Sequence, residues 1–186
     1  QSQSEPLQDL VSNTIALTIT GDANVEARQA DRAAARASAP WAPSFAASVS
    51  FVGCSNTRTN QVRTALTSAE SYASDSLSYL NADNRGPRYT TWFGAYSSSR
   101  YSTVRSHFTS ISDAASNQAL EFDCSTCPGT EYADAYAYVY SNQPYRIYLC
   151  NAFWAAPNSG TDSRAGTIIH ELSHFTDVAG TNDDTS

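Results

Sequence analysis

Residues 160–184 read GTDSRAGTIIHELSHFTDVAGTNDD, and the reading of this stretch decides the fold. At its centre stands His170-Glu171-Leu172-Ser173-His174. Two histidines four apart on a helix lie on one face, about one turn apart, so both imidazoles can reach a single divalent ion. Glu171 between them supplies a carboxylate able to deprotonate a water and aim it at a carbonyl. The setting suits a helix. Gly160-Thr161-Asp162-Ser163 offers an N-cap, and Ala165, Ile168, Ile169, Leu172 and Phe175 form an apolar set at roughly helical spacing. Isolated histidines are usually structural; a His-Glu-His triplet at this spacing is not isolated.

A catalytic zinc takes three protein ligands and keeps a fourth position for water. His170 and His174 supply two, so a third must follow. The extended HExxHxxGxxH form fails, because Asp177 sits where its Gly should be and Gly180 where its third His should be. The acidic residues Asp177, Asp183 and Asp184 remain. Asp177 is one turn beyond His174, and three ligands from one straight helix converge poorly on one ion. Asp183 or Asp184, after a turn through Ala179-Gly180, can fold back over the helix end.

HELSHF followed by GTND resembles the signature of the aspzincins, the deuterolysin family, in which an HExxH helix precedes a GTxDxxY motif whose Asp is the third zinc ligand. GCSN at 53–56, SYASDSLSYLN at 71–81, RYTTWFGAY at 88–96, SSRYSTVRSHF at 98–108 and YLCNAFW at 148–154 are similar to its fungal peptidyl-Lys branch. The resemblance implies one Zn²⁺ per chain held by His170, His174 and Asp183, with Glu171 as catalytic base. It implies the disulfides Cys54 with Cys124 and Cys127 with Cys150. It also implies a mature chain beginning near Ser50 or Phe51. The family's Tyr, three residues after the Asp, falls at Ser186; with one inserted residue, Asp184 would be the ligand instead. Family members continue beyond this motif with further helices and, in the Lys-specific branch, acidic residues for the S1′ pocket. The expected domain is therefore incomplete at its C-terminus, and a C-terminal segment of the same precursor is an expected partner.

The rest of the chain fits one domain of ordinary size. Hydrophobic residues make up 41% and charged residues 16%, the balance of a globular protein. A net charge of −7 repels phosphate backbones and anionic lipids, which disfavours nucleic acid and membrane partners. Four cysteines in a small chain suggest two disulfides and a secreted, extracellular setting. A metal site built on Cys124-Ser125-Thr126-Cys127 would want a second Cys or His pair at matching spacing, and Cys54 and Cys150 stand alone. All eleven basic residues are Arg. An enzyme that cuts before Lys escapes self-digestion if it carries none, although an Arg-biased genome produces the same composition.

Along the chain, Thr14–Thr20 reads as a strand and the Ala/Arg-rich run Val25–Ala39 as a surface helix or linker, with Arg28, Arg32 and Arg36 as processing candidates. Thr57 or Asn56 can cap a helix carrying Val62, Leu66, Ala69, Tyr72, Ala73, Leu77 and Leu80. A second helix spans roughly Ser97 to Ser116. Between them Tyr89–Phe93 is aromatic and β-branched. Leu120–Asp123, Ala135–Tyr140 and Tyr145–Leu149 read as short strands, and Tyr136, Tyr138 and Tyr140 form a ladder that is either the half-exposed side of a sheet or a sugar-binding surface. The expected fold is α+β: a zincin-like domain over residues 51–186, made of helices, a small mainly antiparallel sheet and the HExxH helix, after a prosegment remnant or linker over residues 1–50. The expected function is a secreted zinc endopeptidase acting on protein or peptide substrates, on the N-terminal side of Lys by the resemblance. The alternative is a catalytically impaired zincin-like binding protein.

Overall fold

The computed structural model describes residues 10–11 and 48–183. The segments Thr14–Thr20 and Val25–Ala39, and residues Asp184 and Ser186, lie outside them. Strand β1 is Leu10–Val11 and β2 is Ser50–Val52. Ser55 then accepts a hydrogen bond from the Arg58 N–H at 3.3 Å and starts helix α1, Asn56–Asn81, so the cap lies one residue before the two candidates read from sequence. Its apolar residues Val62, Leu66, Ala69, Tyr72, Ala73 and Leu80 are all buried. Proline at the first position sets helix α2, Pro87–Phe93, which gathers the aromatic stretch into a short helix. Ser97 caps helix α3, Ser98–Asn117. Next come β3 (Glu121–Asp123), β4 (Ala137–Val139) and β5 (Arg146–Leu149), then the short helix α4 (Asn151–Ala155), and finally α5, Arg164–His174.

The strands form one sheet in the order β1-β4-β5-β3-β2. It is mixed: β2 pairs with β3 and β3 with β5 in parallel, while β4 runs antiparallel to β5 and to β1. The parallel half corrects the mainly antiparallel expectation. Helices α1 to α3 all lie between β2 and β3, and a connection of that length returns the chain in its original direction. Among the described residues, the short link 140–145 between β4 and β5 is a hairpin.

Alternation along the strands separates two apolar layers. Phe122, Ala137, Val139, Ile147 and Leu149 join a core with α1, α3 and α5, to which Ile168, Leu172 and Phe175 contribute. Each such fully buried large side chain is worth roughly 1.5–3 kcal/mol. On the other face Tyr138 and Tyr148 stack with ring centroids 4.7 Å apart, and Tyr140 meets both edge-on at 5.7 Å. Tyr138 is 2% exposed and Tyr148 6%. The rings cover one another, so the ladder is a closed packing layer and not a sugar platform. Tyr136, just before regular β4, departs from it and lines a cavity described below.

The disulfide Cys127–Cys150 ties this second layer to the start of α4, and Cys54–Cys124 ties the end of β3 to the start of α1 beside the first core. They close loops of 70 and 23 residues, each worth about 3–4 kcal/mol in the chain-entropy account. Gly53 has φ +64°, and a Cβ there would lie 2.4 Å from Ser125 Cβ, so this close approach needs glycine. Between the disulfides, buried Asp123 organises the corner. Its Oδ1 accepts from the N–H groups of Ser125 (2.8 Å) and Thr126 (2.9 Å) and from the Ser125 hydroxyl, while Oδ2 accepts from the Thr126 hydroxyl at 2.8 Å. Burial alone would raise this carboxyl's pKa, but the four bonds outweigh it and hold the pKa below the ordinary value. A depressed folded-state pKa gives stability that is present above the unfolded value of about 4 and lost as pH falls through the folded one. Asp123→Asn is therefore expected to cost about 2–4 kcal/mol at neutral pH and to flatten the acid limb of the Tm–pH curve below about pH 4. Thermal unfolding from pH 2 to 7 checks this, and a parent-like curve refutes it.

Candidate metal centre

Helix α5 begins where Ser163 accepts from the Gly166 N–H at 3.1 Å, and its apolar stripe docks it on α1, α3 and β4. Ala165, Ile168, Ile169, Leu172 and Phe175 are all buried, which leaves His170 and His174 on an adjoining strip. The helix stops after His174. The N–H groups of Val178, Ala179 and Gly180 all turn onto the Phe175 carbonyl, at 2.9, 3.1 and 3.0 Å. Gly180, at φ +58°, reverses the chain, and the Thr181 N–H reaches the Ser173 carbonyl at 3.1 Å. This fold-back carries Asp183 over the end of α5.

Three ligand-type atoms meet there. His170 Nε2 lies 2.9 Å from His174 Nε2, and Asp183 Oδ1 lies 3.0 Å from the first and 3.5 Å from the second. His174 Nδ1 lies 2.8 Å from the Thr181 carbonyl oxygen, which can only accept, so Nδ1 carries the proton and Nε2 presents a bare lone pair. Burial, then the neighbouring His170, pushes the His174 pKa down and keeps the ring neutral, the form that ligates metals. Burial raises the Asp183 pKa, but the two imidazoles lower it further, so the carboxylate is ionised. Both of its oxygens are buried without a hydrogen bond, and Oδ1 faces the His170 ring at 3.0 Å. Two imidazole nitrogens and an unpartnered carboxylate oxygen, converging on one point, fit a zinc ion, whose catalytic sites use three such ligands and leave one position open.

Glu171 is 0% exposed, and neither of its oxygens has a partner. Burial, with the Asp183 charge added, raises its pKa well above the carboxylate range. Beside His170 opens a cavity of about 200 Å³ bounded by Phe93, Val104, Phe108, Ile111, Tyr136 and Asp162, among others. Of the sequence candidates, the structure brings together His170, His174 and Asp183. Asp177 is exposed and outside the cluster, and Asp184 lies outside the described residues. Cys124 and Cys127 sit in separate disulfides and form no joint metal site. The sequence reading singled out neither Ser173 nor Thr181, and nothing in residue type or spacing marks their contact across the Gly180 turn.

The sequence model of the aspzincin family, described as lysine-specific metallo-endopeptidase, matches residues 78–185. An extracellular protease of Aeromonas hydrophila is 45% identical over 174 residues, covering 92% of this chain and 47% of that protein. Peptidyl-Lys metalloendopeptidases of Grifola frondosa and Pleurotus ostreatus are 48% and 50% identical, over 76% and 72% of this chain and 39% and 77% of their own lengths. The chain thus spans less than half the length of the first two. A solved zinc peptidase from Grifola frondosa superposes with a TM-score of 0.65 at 47% identity, covering 72% of this chain and 79% of its own. A motif, a fold and a ligand geometry that agree with these matches across more than half of the sequence make the chain a member of the aspzincin family.

Proposed function

We propose that this chain forms the metal-binding part of a secreted zinc endopeptidase, in which His170, His174 and Asp183 hold one Zn²⁺ and Glu171 is the general base. The observation that carries the reading is the convergence of two imidazole nitrogens and a carboxylate without a hydrogen bond, beside a buried, unpaired glutamate. Zinc bound there supplies a Lewis acid that polarises the scissile carbonyl and lowers the pKa of water. Glu171 would accept the proton of the attacking water and pass it to the leaving amide nitrogen. The cavity beside His170 receives a substrate side chain, and Asp162 is the one carboxylate among the described residues that line it. A preference for bonds preceding Lys draws support from that carboxylate, from the names of the relatives and from the absence of Lys here. Two disulfides suit an oxidising, extracellular setting.

Residues 1–50 are proposed as a prosegment remnant and 51–186 as the catalytic domain. The pairing of β1 with β4 supports an N-terminal segment that lies on the sheet edge next to the cavity wall at Tyr136. No helix among the described residues is long and apolar enough to cross a membrane. Ser186, at the place of the family's Tyr, favours the second reading, a zinc-binding chain of impaired catalysis.

Elemental analysis of the purified chain is expected to give one zinc per molecule, and His174→Ala to remove it. Glu171→Gln is expected to retain zinc while casein hydrolysis falls about 10²–10⁴-fold. Equal hydrolysis by the variant would refute the mechanism; zinc binding with an inactive parent would select the second reading. Cleavage of a peptide carrying both Lys and Arg, mapped by mass spectrometry, is expected before Lys alone.

A further inference from the structure

The direction of every proton in the hydrogen bonds behind the ligands can be assigned. Ser173 Oγ lies 2.7 Å from the His170 carbonyl oxygen, which only accepts, so the single Ser173 hydroxyl proton goes there. The 2.6 Å contact between Ser173 Oγ and Thr181 Oγ1 must then be donated by Thr181. The Thr181 hydroxyl, having given its proton, is an acceptor 3.3 Å from His174 Nδ1, whose proton also points at the Thr181 carbonyl. The result is one continuous chain of donors, from His174 through Thr181 and Ser173 to the backbone of His170. It fastens the loop bearing Asp183 to both ligand histidines, and the Thr181 N–H to Ser173 carbonyl bond runs beside it.

The geometry points to Ser173 and Thr181 as positioning residues for the metal site: their hydroxyls form a clasp that backs the Thr181 carbonyl in orienting His174 and holds Asp183 against the imidazoles, so that they govern metal affinity without touching the metal. The inference rests on the zinc reading of the site. Without the clasp, the fold-back after Gly180 is held to α5 by backbone bonds and by the His174 Nδ1–H to Thr181 carbonyl bond, and Asp183 must be ordered by the metal at its own cost. Groups that orient metal ligands from behind typically change affinity 10–100-fold when removed.

The test measures zinc affinity of the full chain by competition with a chromophoric chelator. Ser173→Ala and Thr181→Val are each expected to raise the zinc Kd about 10–100-fold. Val keeps the shape of Thr and removes only the hydroxyl. Thr181→Ser, which keeps the hydroxyl and loses the methyl, is expected to retain the parent's affinity, a rescue that a packing role would not give. The double variant Ser173→Ala with Thr181→Val is expected to be no weaker than the worse single one, because both break the same chain. Parent-like affinity in Ser173→Ala, additive losses in the double variant, or a Thr181→Ser as weak as Thr181→Val overturns the clasp while leaving the zinc reading intact. A parent that binds no zinc overturns both. Unfolding of the metal-free proteins shows which variants fold, and if Thr181→Val does not, Ser173→Ala and Thr181→Ser decide.

Discussion

Two imidazole nitrogens and a carboxylate oxygen held within 2.9–3.5 Å of one another are the constraint around which the rest of the molecule is arranged. Lone pairs so close repel unless a cation lies between them, so the fold has to supply the convergence by other means. Helix α5 supplies half of it through the four-residue spacing of its histidines, and its position is fixed because its apolar stripe is wedged among α1, α3 and β4. The other half comes from the turn at Gly180, a few residues with little burial of their own. The site therefore combines a rigid element with a short loop, and the loop's precision rests on hydrogen bonds more than on packing.

Legibility in the sequence follows the same division. Periodic apolar residues made α1, α3 and α5 readable to within a residue or two, since helix spacing is a local property that packing then rewards. The convergence of the histidine pair was readable because both partners lie on one helix. The directions of β2, β3 and β5 were not, since a parallel pairing is decided by what happens across the connecting helices and leaves no mark on a three- or four-residue strand. The tyrosine ladder was ambiguous for a related reason. Alternation shows that Tyr138 shares a face, but its stacking on Tyr148 depends on a neighbouring strand. The contact of Ser173 with Thr181 was invisible altogether, because two hydroxyl residues eight apart have no signature until a turn brings them together.

The second face of the sheet explains how so short a set of strands keeps a fixed shape. Three- and four-residue strands hold few ladder bonds, and an isolated sheet of this kind is weak. Here the stacked tyrosines and Cys127–Cys150 form a cross-linked layer behind β4 and β5, while Cys54–Cys124 and the four hydrogen bonds to Asp123 secure the end of β3. That layer holds β4 flat against α5, and through it the helix that presents the ligands. The acidic, Lys-free surface plays no part in this; it bears on partners and not on the fold.

Glu171 shows how unevenly the molecule distributes unfavourable burial. A fully buried carboxyl with no hydrogen bond costs stability and is rare outside functional sites. Other buried side-chain atoms without partners include the neutral Ser71 Oγ, Tyr89 Oη and Trp154 Nε1 and the guanidinium Nε of Arg164 at the start of α5. Every buried carboxylate oxygen without a partner, among the described residues, belongs to Glu171 or Asp183. Four orphaned carboxyl oxygens thus gather at one site, where the Asp183 charge adds to burial in raising the Glu171 pKa, and perturbed groups of that kind cluster at functional sites. The remaining face of α5 offsets the cost through Ile168, Leu172 and Phe175, so the residues that make the helix core-forming are also the ones that allow it to carry the chemistry.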